Sequence, residues 1–168
     1  MLKMLNEPFY EYLQQIISVI EEVSNLSETA AFKDKLEDVV PLDEIDNTFD
    51  NLVIFDDFIN EKNQSVIEDY FTMGRKRNCS VIYISHDYFG TPERVRLNCN
   101  YICLFGFRDK GELSKFKRVF PINISNEKFD NIYKKISKTK HGFLTIDKET
   151  SDSKLYYRIN LDGILRNE

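Results

Sequence analysis

Residues 51–57 read Asn51-Leu52-Val53-Ile54-Phe55-Asp56-Asp57. Four apolar residues precede two carboxylates, and the run does not alternate polar with apolar. Such a continuous run predicts a strand of a parallel sheet covered on both faces. In open α/β sheets ligands bind outside the carboxyl ends of the strands, which is where Asp56 and Asp57 fall. Two acids there suit a hydrated Mg²⁺ and a polarised water. Read on its own, the pair equally fits a turn cap at Asp57 and a strand end at Asp56.

Outward from this strand the pattern alternates between strand and helix. Asn63–Arg77 places Ile67, Tyr70 and Phe71 at helical spacing, with Gly74 near the end. Cys79–Ser85 is a second apolar strand, and a loop, His86–Gly90, leads to Thr91 and Pro92. Thr91 fits a helix cap and Pro92 the first helical position. Tyr101–Phe107 is a third apolar strand, followed by helices expected at 110–119 and 126–138. Gly142–Asp147 and Lys154–Asn160 predict an antiparallel hairpin. Upstream, Glu7–Val23 carries Phe9, Leu13, Ile16, Ile17 and Ile20 at amphipathic spacing, with 16–19 also compatible with a short strand. Residues 24–50 are acidic, broken by Pro41, and read as loop or short helical pieces. Strand, helix, strand, helix, strand is the doubly wound α/β pattern, expected here as one domain over residues 1–168.

Composition narrows the class. No apolar run approaches the length of a bilayer span, and the N-terminus lacks the layout of a signal peptide, so an intracellular protein off the membrane is expected. Residues 1–70 carry 17 acidic and 4 basic groups, whereas residues 71–168 carry 11 acidic and 19 basic ones. The split could give one face that repels nucleic acid and another that attracts it, but on charge alone the plainer reading, charges that cover solvated helix faces, is favoured. Cys79, Cys99 and Cys103 sit in apolar segments and read as buried free thiols; with either histidine their spacing matches no common zinc pattern.

The stretch from Asn51 to Phe107 has further motifs in order: Gly74-Arg75-Lys76-Arg77, a strand ending before His86, Tyr88-Phe89, Thr91-Pro92 and a basic helix. This series resembles the genome-packaging ATPases of poxviruses, virophages and polinton-like elements, a branch of the FtsK/HerA superfamily, over roughly residues 36–165. The resemblance implies a P-loop NTPase (RecA-like) core with a mostly parallel sheet and a C-terminal antiparallel hairpin. It makes Asp56 and Asp57 the Walker B pair, Asp56 ordering the Mg²⁺ shell through water and Asp57 acting as general base or water positioner. It places an arginine finger at Arg75 or Arg77, Arg75 favoured because it directly follows Gly74. The plain alternative is that both arginines offset the negative end of their helix. His86 falls where the family usually has glutamine, which senses the γ-phosphate; histidine can donate the same hydrogen bond, with a charge that varies near neutral pH.

Such an ATPase needs G-x-x-x-x-G-K-[ST] to cradle phosphates. The nearest match, Gly106 to Gly111, has Glu112 at the lysine position and Leu113 at the hydroxyl position, and it lies downstream of the acid pair. A carboxylate aimed at triphosphate is repulsive, which excludes it. In the resembled family the phosphate loop would lie N-terminal to Met1, so the expectation is a Walker B half with ATP and Mg²⁺ as cofactors of the complete protein. That protein would translocate double-stranded DNA as a homo-oligomeric ring beside capsid components, in a cytoplasmic viral factory or the virion. Lys134, Lys135, Lys138 and Lys140 could face DNA phosphates, or simply solvate a helix end. The alternative function is a non-enzymatic, degenerate subunit that pairs with an intact ATPase.

Overall fold

The structure, a computed structural model, describes residues 8–24, 30–107, 110–120, 124–152, 155–161 and 163–164. These fall into two compact units, Met1–Asn98 and Cys99–Glu168.

In the first unit, α1 (Pro8–Ser24) is helical throughout, including the segment also compatible with a strand. Residues 30–50 form loop and two single 3-10 turns, Leu36–Asp38 and Leu42–Glu44. Then come β1 (Asn51–Asp56), α2 (Ser65–Met73), β2 (Cys79–Ile84) and α3 (Glu93–Asn98). β1 and β2 pair in parallel, Asn51 opposite Cys79 and Asp56 opposite Ile84. The helix between them is the crossover that parallel pairing requires. Ile67 and Tyr70, one turn apart, bury the inner face of α2 against Phe55, Cys79, Val95 and Leu36. Phe55 meets Tyr70 edge-on with ring centroids 5.5 Å apart, and the Tyr70 hydroxyl donates to the Val40 carbonyl at 2.6 Å. That bond ties the acidic segment to the core. α2 gives way to a 3-10 turn, Gly74–Arg77, and the left-handed Asn78 (φ 48°) swings the chain into β2. Asparagine tolerates this conformation at low cost.

Contrary to the expected two-sided burial, the strands alternate. Val53, Phe55 and Cys79 face the core, while Leu52, Ile54, Ile82 and Ile84 are 59, 52, 45 and 49% exposed. The first unit thus shows an aliphatic sheet face to its surroundings. The N-terminus of α3 also differs from expectation. Thr91 donates its hydroxyl back to the Asp87 carbonyl at 3.0 Å, and Pro92 precedes the first helical residue, its carbonyl accepting from the Arg96 amide at 3.1 Å.

The second unit is an antiparallel sheet in the order β3-β4-β5-β6: β3 (Tyr101–Leu104), β4 (Leu144–Asp147), β5 (Tyr157–Ile159) and β6 (Gly163–Ile164). The expected hairpin is β4–β5. The two-residue β6 has no counterpart in the sequence reading. β3 pairs antiparallel with β4, Leu104 opposite Leu144, so parallel pairing among the described residues is confined to β1 and β2. The physical reason is that an apolar run suits either ladder; a partner strand about forty residues away decided the direction. β4 does not alternate, all four of its residues being buried. Helices α4 (Lys110–Val119) and α5 (Asn126–Ser137) meet through Phe116 and Phe129, ring centroids 6.2 Å apart, and Phe116 also stacks at 5.0 Å on Phe120 just past its own helix. Ser125 caps α5, its hydroxyl accepting from the Lys128 amide at 3.2 Å. Of the three free thiols only Cys79 is buried; Cys99 is intermediate and Cys103 exposed, which corrects the expectation for those two. No described helix is long and apolar enough to cross a membrane.

Candidate functional site

The site is built at the carboxyl ends of β1 and β2. β1 ends in Asp56, and the chain turns at once because Asp57 is left-handed, φ 56° and ψ 37°. The Asp57 amide still donates to the Ile84 carbonyl at 3.0 Å, one rung beyond the ladder. That bond places the Asp57 carboxylate at the exit of β2, where its Oδ1 lies 2.7 Å from Nδ1 of His86. The side chains are 32% and 49% exposed, so water reaches both. Asp56 is half-buried, and its Oδ2 accepts a hydrogen bond from the Tyr10 hydroxyl of α1.

The loop after β2 is internally fastened. Ser85 Oγ accepts from the Asp87 amide at 3.1 Å, and Asp87 Oδ1 accepts from the Phe89 amide at 2.8 Å. These short Asx- and Ser-type links hold His86 at the loop's start without a regular element. Beneath, the Tyr83 hydroxyl donates to Gln64 Oε1 at 3.1 Å, joining β2 to the loop between β1 and α2. Burial first, and the negative charge of Asp57 second, push the Tyr83 hydroxyl up to about 12. Tyr83 is therefore a neutral donor at physiological pH.

Of the residues singled out in the sequence, Asp57 and His86 meet, while the neighbouring Asp56 is engaged by Tyr10 instead. Arg75 and Arg77 do not join them. They lie in the turn before β2, at the amino end of the strand pair, whereas the acids lie at its carboxyl end. Five residue steps along β2 separate the ends, roughly 17 Å. Arg75 is exposed and Arg77 half-buried. Tyr10 and Gln64 were not legible as site neighbours. Tyr10 lies 46 positions from Asp56, and nothing in local spacing signals a contact over that separation.

Adjacent carboxylates offer hard oxygen donors of the kind a hydrated divalent cation takes, so Asp56 and Asp57 fit Mg²⁺ held through water. No group of three or more potential metal ligands occurs among the described residues, so a direct all-protein cage is not present there. Gly106 and Gly111 flank residues 108–109, which lie outside the described residues.

A strand ending in two carboxylates, a crossover helix, and a parallel strand whose loop returns a polar side chain to the second of those acids form one α/β unit. The profile of the Poxvirus A32 protein family matches residues 4–158, and the chain belongs to that family of viral packaging ATPases. A similar solved structure is the genome packaging NTPase B204 from Sulfolobus turreted icosahedral virus 2 in complex with ATP-gammaS. It is 17% identical, with a TM-score of 0.47, over 97% of this chain and 65% of that one. The chain thus spans less than two thirds of that protein's length. No curated protein matches the sequence.

Proposed function

We propose that the chain is the Walker B part of an ATP-driven motor that moves double-stranded DNA during viral genome packaging. Asp56 orders the Mg²⁺ shell through water, and Asp57 orients or deprotonates the attacking water. His86 takes the γ-phosphate sensor place that glutamine holds in related enzymes. When bound, the metal supplies charge neutralisation at the phosphates; the chain's own groups supply orientation. The single observation that carries this reading is the 2.7 Å approach of His86 to Asp57, which joins the sensor loop to the acid pair. Arg75 or Arg77, at the far end of its own strand pair, serves as an arginine finger only toward a neighbouring subunit's nucleotide, which calls for a ring. The ring would work beside capsid components, in the viral factory or the virion.

A second reading has support from the exposed aliphatic face formed by Leu52, Ile54, Ile82 and Ile84. In it, the chain is a degenerate subunit that pairs with an intact ATPase.

Calorimetric titration with Mg²⁺–ATPγS tests the first reading. The 168-residue chain is expected to show no binding up to millimolar ligand, and a protein with a phosphate-loop strand and helix joined upstream is expected to bind. The double substitution Asp56→Asn/Asp57→Asn should abolish that restored binding. Tight binding by the 168-residue chain itself would overturn the assigned division of labour.

A further inference from the structure

Charge sorts by unit. Residues 1–98 carry 9 basic and 19 acidic groups, a net of −10, and residues 99–168 carry 14 basic and 9 acidic, a net of +5. The excess is denser still in the two helices and the turn after them: residues 110–141 hold 9 Lys and Arg against 3 acids. One of those acids is already engaged, because Asp130 of α5 receives Lys117 of α4 at 2.8 and 3.0 Å.

Packing dictates where the lysines and arginines of these helices lie. α5 turns Phe129, Ile132, Tyr133 and Ile136 inward, and α4 turns Phe116 inward. Lys115 and Arg118 of α4 are exposed, as are Lys128, Lys134 and Lys135 of α5 and Lys138 and Lys140 just beyond it. Lysines three or four residues apart on a helix repel one another by a few tenths of a kcal/mol. Lys134–Lys138 and Lys135–Lys138, whose second member closes the C-terminus of α5, have this spacing.

We infer that the outer faces of α4 and α5 form a duplex-DNA backbone contact surface, centred on Lys128, Lys134, Lys135 and Lys138. This rests on the packaging reading above and adds to it the site where the polymer is held. From Lys128 to Lys138 the helix advances roughly 15 Å, over which one strand of B-DNA presents about four phosphates. The surface favours duplex over single strands. Sequence-tolerant single-strand binding uses aromatic platforms for stacking, whereas the rings between residues 110 and 141, Phe116, Phe120, Phe129 and Tyr133, are all buried.

The test is fluorescence anisotropy of a labelled DNA duplex with the 168-residue chain across a salt series. Lys134→Ala/Lys135→Ala should weaken binding and reduce the slope of log K against log salt by about 2. Lys134→Arg/Lys135→Arg should retain the slope. Lys33→Ala/Lys62→Ala, an equal change of net charge in the first unit, should leave binding unchanged. An unaltered slope in the alanine pair, an equal loss in the Lys33/Lys62 control, or no duplex binding by the unaltered chain at low salt would each overturn the inference. So would tighter binding of single-stranded RNA or an acidic peptide than of the duplex. No nucleotide enters this readout, so its failure is separable from that of the Mg²⁺–ATPγS titration.

Discussion

The carboxylate of Asp57 and the imidazole of His86 lie 2.7 Å apart although 29 positions separate them in the chain. The contact exists because a parallel ladder brings the ends of β1 and β2 together and because Asp57 turns left-handed at the last rung. As a solvent-reached pair it contributes less than about 1 kcal/mol to stability. His86→Gln and His86→Ala should therefore leave denaturant midpoints almost unchanged. In the nucleotide-competent protein, His86→Ala should lower hydrolysis by about 10²-fold and His86→Gln should retain it. Comparable hydrolysis in both variants would remove His86 from the site.

The turn at Asp57 makes a separate prediction. A β-branched residue in the left-handed region costs about 1–2 kcal/mol, a cost that Asn and Asp largely escape. Asp57→Val should thus be less stable than Asp57→Asn by that amount in urea unfolding. Both lose the carboxylate, so the difference isolates the backbone. Equal stabilities would mean that the turn is not held as described.

Two glycines differ in what surrounds them. A Cβ on Gly142 would meet the Ile136 carbonyl at 2.7 Å, and one on Gly90 would meet the Ile59 side chain at 2.5 Å. Backbone at the end of α5 cannot yield as a side chain can, so Gly142→Ala should cost about 1–3 kcal/mol and Gly90→Ala less. Thermal unfolding of the two variants side by side checks the order.

Alkaline pH should loosen the first unit in a defined window. Burial raises Tyr70, with Cys79 adding to it, and holds Tyr83 at about 12. Because the folded state binds these protons more tightly than the unfolded chain, their contribution is complete below the unfolded value near 10. It is lost as pH rises toward the folded value. Tyrosinate absorbance should show a fraction of the tyrosines titrating late in the native chain and together in denaturant. Tyr83→Phe should flatten the fall in stability above pH 10. A single native titration near 10 would contradict the assigned burial.

The elements themselves were legible from local pattern. β1, α2, β2, α4 and α5 lie close to where apolar spacing puts them, and the acid pair at the end of β1 was readable from its hexapeptide and neighbours. Membership of the packaging-ATPase family was equally readable, because it rests on motif order between Asn51 and Phe107 rather than on contacts. The tertiary structure alone decided three things. It gave β3 an antiparallel partner in β4, left the face of Leu52, Ile54, Ile82 and Ile84 exposed, and brought His86 to Asp57 and Tyr10 to Asp56. The reason is common to all three. Periodicity records which face of a segment is apolar, but which segment meets that face is set by chain closure over tens of residues, which no local pattern encodes.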